Sequence, residues 1–206
     1  MEKISYNSFL EWENELTKTD MLLDIGCWSG ENTIKFNKKC DAFGIEIDES
    51  KLALASDDIK PKIKIGDITK EISFSNQFDW IYMGEVLEHV INDELAIKNI
   101  STALKQGGHL IITTPHKIRL FEVWDPAWIK WKFGGPVHRH YSIQELDLLL
   151  SKYGIQIEKY AIGYGIEFIF LRWANILLKH VFKAKPIEHK YGDGYFDLCV
   201  IARKLK

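Results

Sequence analysis

At 206 residues the chain has room for one ordinary domain with a small elaboration. Hydrophobic residues make up 46% and charged residues 27%; 27 Lys plus Arg stand against 29 Asp plus Glu, a net charge of -2. That balance excludes a disordered tail protein, a collagen-like chain and a highly basic nucleic-acid packager, and nucleic acid is not an expected partner.

The three cysteines, Cys27, Cys40 and Cys199, form no Cys-x-x-Cys pair, so neither a disulfide framework nor a thiolate metal knot is expected. The polar, acidic opening MEKISYNSFLEWENELTKTD does not read as a secretory signal. No uncharged run reaches the ~18 apolar residues of a membrane span, and a reducing cytoplasm is the expected compartment.

In chain order, residues 5–16 read as an amphipathic helix with Phe9, Leu10, Trp12 and Leu16 on its apolar stripe. A buried strand over 21–25 and a helix over 31–39 come next, then a strand over 42–47 and a helix over 50–56. Two more strands lie at 62–65 and 78–83. Asn92 caps a helix to Lys105, which Gly107-Gly108 breaks before a strand over 109–114. Strands alternating with helices imply a parallel sheet covered on both faces.

After Thr114 the rhythm changes. Residues 115–137 carry Phe121, Trp124, Trp128, Trp131 and Phe133. Ser142 caps a helix over 143–152, with Glu145 completing a capping box. A strand over 155–161, an apolar helical stretch over 163–183 and a last strand over 195–202 close the chain. The whole reads as one domain, 1–206, in which the segments 115–137 and 163–185 are insertions that form a lid over an acceptor site.

The chemistry starts in the first strand and its turn, Leu-Leu-Asp-Ile-Gly-Cys-Trp-Ser-Gly from Leu22 to Gly30. A glycine turn between strand and helix admits a ligand to the backbone and aims the helix N-terminus at it, though many α/β proteins use such a turn structurally. Glu46 ends the second strand, twenty residues after Gly26; an acid there accepts from both hydroxyls of a ribose, unless it is a surface carboxylate like its neighbours Asp48 and Glu49. Asp67, after the third strand, either reaches an adenine amine or serves as a turn aspartate.

The fourth strand and the segment after it, Phe-Asp-Trp-Ile-Tyr-Met-Gly-Glu-Val-Leu-Glu-His-Val from Phe78 to Val90, complete a pattern. Its other parts are Gly-Ile-Glu at 44–46, Gly-Asp-Ile at 66–68, Leu104-Lys-Gln-Gly-Gly-His-Leu-Ile-Ile-Thr-Thr-Pro115, and His138-Arg-His-Tyr-Ser with Glu145-Leu146. In this order, over about residues 20–160, the set resembles class I S-adenosylmethionine-dependent methyltransferases, of the branch that includes the ubiquinone-biosynthesis O-methyltransferases. The resemblance implies a Rossmann-like three-layer sandwich around a seven-stranded, mostly parallel sheet whose last strand is antiparallel. It implies S-adenosylmethionine as cofactor. Asp24, Gly26, Cys27 and Gly30 would hold its methionine part, Glu46 its ribose, Ile47, Asp67 and Ile68 its adenine, and Met83 and Gly84 would line it through backbone. Trp28 departs from the family's glycine, and its ring either packs away from the cofactor or closes over the methionine end.

The expected reaction is in-line methyl transfer to an oxygen of a small or amphiphilic acceptor. His116, His138 and His140 are the candidate bases, since an ordinary histidine pKa near ~6.5 suits proton transfer at neutral pH. His89 reads as structural. Tyr141, Trp124 and Trp128 are the candidate acceptor contacts. The His138-x-His140 pair has ligand spacing, but no carboxylate completes a set, so no metal is expected. Ile166, Ile169, Phe170, Trp173, Leu177 and Val181 form a second apolar stripe, near Arg172, Lys179, Lys183 and Lys185. It is read as core, as a dimer face, or as a face that meets a membrane around a lipid-linked acceptor. The sequence does not settle the oligomeric state. Two rival readings share the glycine turn and ribose acid: a nicotinamide-dependent oxidoreductase, and a non-catalytic cofactor-binding module of the same fold.

Overall fold

The computed structural model describes residues 1–70, 72, 78–118, 122–187 and 192–205. Strands β1 (Glu2–Lys3), β2 (Met21–Ile25), β3 (Asp41–Glu46), β4 (Ile63–Ile65), β5 (Phe78–Gly84), β6 (Leu104–Pro115), β7 (Ile155–Gly163) and β8 (Asp197–Lys204) form one sheet in the order β1-β7-β8-β6-β5-β2-β3-β4. Strand β8 runs antiparallel to both β6 and β7, and every other pairing is parallel. The expected Rossmann-like sheet with an antiparallel last strand is therefore present, with eight strands rather than seven. The extra strand, β1, pairs only Glu2 with Lys159 and Lys3 with Tyr160, too short a run to leave a period in the sequence.

Helices α1 (Tyr6–Leu10), α2 (Glu31–Asn37), α3 (Glu49–Leu52), α4 (Asp93–Ala103), α5 (Pro126–Lys132), α6 (Ile143–Ser151) and α7 (Glu167–His180) accompany the sheet. The period-2 alternation of the strands divides the core in two. Leu23, Ile25, Ile81 and Met83 pack with Ile97 and Ile100 of α4 and Leu146 and Leu150 of α6 on one face. Leu22, Trp80 and Ile111 pack on the other with Phe9 of α1, Trp12, and Phe36 of α2.

Local chemistry sets the element ends. Asn92 Oδ1 accepts from the Leu95 amide at 3.0 Å. Ser142 and Glu145 make the reciprocal capping box that opens α6. The leading helix is shorter than its pattern: α1 stops at Leu10, and Glu11–Glu15 continue as a 3-10 turn. Helix α4 ends at Ala103, because Leu104 is already extended and pairs with Phe78. Gly107 and Gly108 thus do not terminate a helix. They lie inside β6, where the register jumps from Phe78↔Leu104 to Trp80↔His109, and Gly107 takes φ +79°.

The two insertions hold α5 and α7. No helix among the described residues is long and apolar enough to cross a membrane. Ile166, Phe170, Trp173, Leu177 and Val181 form an exposed stripe around α7, whereas Ile169 turns inward.

Beneath the first turn, Asp24 is buried and accepts from the Thr33 hydroxyl at 2.7 Å. Burial pushes its carboxyl up to about 7, against the Thr33 donation that favours the ionised form. A carboxyl raised in the folded state stabilises fully below its unfolded value, and that contribution is lost as the pH rises through about 7. Asp24→Asn keeps an oxygen for Thr33 and carries no charge. It is expected to match the parent's melting temperature in acid and exceed it at pH 8, on the order of the loss just described, as thermal denaturation across this range will show.

Candidate active site

The strand order reverses beside β2: β3 and β4 extend the sheet to one side, β5 and β6 to the other. Ligands of open α/β sheets bind at such a switch point, at the carboxyl ends of the strands. Here a cleft of about 260 Å³ lies against Gly26, Glu46, Asp67, Val86 and His89. Gly26 has φ +69°, and a Cβ on it would stand 2.4 Å from Val86 Cγ2, so both the left-handed backbone and the close approach require glycine.

Glu46 ties the wall of the cleft together. Its Oε2 accepts from the Trp28 amide at 2.9 Å, and its Oε1 accepts from the amides of Ile47 and Asp48 at 2.8 and 2.9 Å. The side chain is buried. It is not the surface carboxylate that its neighbours suggest; Asp48 and Glu49 are the exposed ones, and Asp48 caps α3 by accepting from the Ser50 amide. Asp67 Oδ1 accepts from the Thr69 amide and hydroxyl at 2.9 and 2.7 Å, which lowers its carboxyl below the usual range. Asp67 is thus a turn aspartate that also lines the cleft.

Of the sequence-nominated cofactor residues, Gly26, Glu46, Ile47, Asp67 and Ile68 converge on this cleft. Asp24 sits below it with Thr33, and Cys27 is buried with Sγ against Gly44. Gly30, at φ +84°, starts α2. Met83 is buried in the sheet, and Gly84 ends β5 over the Tyr82 ring. Trp28 takes φ +54°, the left-handed backbone that favours glycine. Its ring is 58% exposed under Lys51, whose Nζ stands 4.2 Å from the centroid, and it is not part of the cleft wall.

A second, smaller cavity of about 60 Å³ opens where Glu85 adjoins Val86. Its polar wall is Glu85, His116, Glu122, Asp125, His140, Tyr164, Arg172 and Asp197, with Phe168 and Ile169 of α7 beside them. Asp125 is the hub: one oxygen accepts from His138 Nε2 and His140 Nε2, both at 3.0 Å, and the other from Arg172 at 2.8 Å. Burial works to raise its carboxyl, but the two histidine donations and the guanidinium charge outweigh that and hold it far below the usual range. An ionised carboxylate only accepts, so both imidazoles carry hydrogen on Nε2. His116 donates from Nδ1 to the Tyr195 carbonyl at 2.9 Å, which leaves Nε2 as its acceptor. Burial lowers its pKa, and the imidazole is neutral at neutral pH. Asp197 is buried at the floor of the cavity, and burial, with the Glu85 charge beside it, raises its carboxyl well above the usual range.

The nominated acceptor contacts fall elsewhere. Tyr141 donates its hydroxyl to Asp93 at 2.9 Å, and together with Trp128 it lines an outer groove of about 500 Å³ beside Trp131, Arg139 and Lys152. The side chain of Trp124 and all of Phe121 lie outside the described residues. Sequence reasoning missed Glu85, Val86, Asp125, Arg172 and Asp197. Glu85 and Val86 belong to the Glu-Val-Leu-Glu-His-Val run and were open to discovery there; Arg172 and Asp197 come from late elements with no motif. It also found no carboxylate for the histidine pair, because Asp125 and Glu88 reach it only through the fold.

A family model described as a methyltransferase domain matches residues 6–160. No curated protein matches the sequence. Among solved structures, an S-adenosylmethionine-dependent methyltransferase from Mesorhizobium loti is 18% identical, covering 96% of this chain and 96% of that one, at a TM-score of 0.68. One from Methanosarcina mazei is 19% identical over 93% and 95%, at 0.65. Magnesium protoporphyrin IX methyltransferase from Synechocystis, solved with S-adenosylhomocysteine bound, is 14% identical over 96% and 79%, at 0.64. At these identities the structures establish the shared fold, while the family model spans most of the sequence and leaves the nicotinamide reading without support. The chain belongs to the methyltransferase-domain family.

Proposed function

We propose that this protein is an S-adenosylmethionine-dependent methyltransferase that acts on a hydroxyl of a small or amphiphilic acceptor. The observation that carries this reading is the adjacency of two pockets: a cleft with an acid at the ribose position, and beside it a polar cavity holding a neutral histidine with a bare Nε2.

The cleft fits the cofactor. Gly26 leaves backbone open where any Cβ would collide, Glu46 keeps lone pairs beyond its three amide bonds, and Ile47, Ile68 and Val86 supply apolar walls for a base. When bound, S-adenosylmethionine supplies a methyl carbon already activated on a sulfonium. Glu46 accepts from the ribose hydroxyls, and the turn from Gly26 to Gly30 holds the amino-acid end, with Cys27, Met83 and Gly84 contributing backbone. Asp24 serves this turn from below, through Thr33. Positioning of two reactants supplies ~7–11 kcal/mol in favourable cases.

His116 takes the acceptor's proton on Nε2. His140, anchored by Asp125 and lining the same cavity, orients the acceptor. We assign α5 and α7 to the lid within a single domain, since Asp125 caps α5 and pairs with Arg172 of α7. The amphiphilic reading of the acceptor draws on α7: its inner face borders the small cavity, and its outer face exposes Ile166, Phe170, Trp173 and Leu177, with Lys179, Lys183 and Lys185 near its end. Tyr141 and Trp128, on the outer groove, would meet a distal part of such an acceptor.

Calorimetric titration with S-adenosylhomocysteine tests the cofactor half. Charged hydrogen bonds are worth about 1.5–3 kcal/mol, so Glu46→Ala is expected to weaken binding roughly ten- to two-hundred-fold. Trp28→Ala is expected to leave the affinity unchanged, because its ring stands outside the cleft wall; a large loss would place the indole on the ligand.

Turnover tests the base. His116→Ala is expected to keep cofactor affinity and lose roughly 10²–10⁴-fold in methyl transfer. A base works in its neutral form, and His116 is held below the ordinary histidine value. Activity of the parent is therefore expected to persist below pH ~6.5 and fall only in stronger acid, and that acid limb is expected to vanish in His116→Ala. A limb that survives the substitution would assign it to another group.

A further inference from the structure

The small cavity beside the cleft holds more acids than cations. Glu85, Glu122, Asp125 and Asp197 all line it, and Arg172 is the one Lys or Arg among the described residues of its wall. Asp125 takes that guanidinium at 2.8 Å together with two imidazoles. Glu122 stands 3.9 Å from His140 Nδ1. Glu85 and Asp197 have no such partner. Glu85 Oε1 accepts from the Thr113 hydroxyl at 2.9 Å, and Asp197 Oδ2 accepts from the Cys199 thiol at 3.4 Å. Among the described residues neither carboxyl pairs with a Lys, Arg or His.

Asp197 is 5% exposed, and its Oδ1 is buried with no hydrogen-bond partner among the described residues. A buried acceptor in that condition costs stability unless a donor reaches it. The Glu85 carboxylate beside it is another acceptor, so the two can bond only through a shared proton. Burial and the Glu85 charge favour the protonated form of Asp197. Aromatic rings complete the wall: Tyr164 stacks on Phe168 with centroids 4.9 Å apart, and Phe168 meets Phe196 at 6.0 Å. Ring faces carry negative potential and attract cations, and carboxylates accept their strongest hydrogen bonds from charged donors. Acceptor oxygens and ring faces in one small cavity are complementary to an ammonium group.

We infer that this cavity recognises a protonated amine, with Glu85 and Asp197 accepting from its N–H groups and Tyr164, Phe168 and Phe196 packing around it, and that the methyl acceptor is a small compound carrying both a hydroxyl and an ammonium group. The amine supplies the donor that Asp197 Oδ1 lacks and places a positive charge beside Glu85. Arg172 does not oppose it, because Asp125 already balances that guanidinium.

The charges of the cofactor do not account for the pair, since neither Glu85 nor Asp197 belongs to the wall of the cleft. A neutral polar occupant could take a hydrogen bond from protonated Asp197, but it would leave the Glu85 charge unanswered. The choice of a cation also bears on the site of methylation. A nitrogen held as an ammonium has no lone pair for a methyl group, so the contacts that bind it direct transfer to the hydroxyl, whose proton His116 Nε2 takes. That the amine belongs to the methyl acceptor rests on the methyl-transfer reading; cation binding in the cavity does not.

The full chain, saturated with S-adenosylhomocysteine, is titrated by calorimetry with ethanolamine, with ethylene glycol as the neutral counterpart and glycolate as the anionic one. Ethanolamine is expected to bind roughly tenfold or more tightly than either. Its ammonium drives the proton off Asp197, so runs in phosphate and in MOPS, which differ in ionisation enthalpy, are expected to show release of up to about one proton per ligand. Asp197→Asn is neutral, as the protonated parent side chain is, so the variant should melt with the parent at neutral pH, yet lose the proton release and most of the preference for the cation. Glu85→Gln, at an exposed position, is expected to lose that preference as well. Absence of ethanolamine binding or of proton release, glycol or glycolate binding as tightly, or an unchanged preference in both folded variants would overturn the inference. The S-adenosylhomocysteine titration that precedes each run keeps the two readings apart, since retained nucleoside binding without a preference for the cation sinks only this one.

Discussion

The reversal of strand order beside β2 is the constraint on which the site depends. Strands β3 and β5 leave β2 in opposite directions across the sheet, and the turns at their carboxyl ends cannot both cover the same edge. A crevice opens there whatever residues line it. The residues then make it specific. Glu46 is carried to its rim by β3, and three backbone amides hold the carboxylate in place. The Val86 side chain presses so closely on Gly26 that the turn is left without a Cβ.

Asp125 plays the same organising part for the neighbouring cavity. It belongs to the first insertion, takes Arg172 from the second, and gathers both histidines of the His138–His140 segment. One buried carboxylate therefore fixes the tautomer of two imidazoles and the seat of α7. The cavity owes its chemistry to elements far apart in the chain, and Arg172, Phe168 and Asp197 lie beyond residues 6–160, which the family model matches. Residues within the matched span build the cleft, and residues beyond it build much of the cavity next to it.

Legibility in the sequence tracked the range of the interactions. Asn92 and the Ser142–Glu145 box were readable because a cap bonds within three residues. The strands were readable because burial on both faces demands continuous apolar runs. Glu46 was readable from its distance to the glycine turn. Gly107 and Gly108 misled, since two glycines end a helix as readily as they permit a bulge, and only the pairing of Leu104 with Phe78 decides between them. Trp128 and Tyr141 line an outer groove, and neither helical spacing nor motif position says in advance which cavity a side chain meets.

The sequence by itself determined the layered α/β architecture, the nucleotide-type crevice and the acid at its rim, since each depends on local periodicity or on a fixed number of residues between a strand and its turn. Only the tertiary structure decided which histidine keeps a bare nitrogen, where the carboxylates stand around the His138–His140 pair, and that the indole of Trp28 faces out toward Lys51. Proton positions and side-chain directions are set by partners many residues away, such as the Tyr195 carbonyl for His116. No spacing rule along a single chain encodes a contact that exists only after the sheet has closed its order.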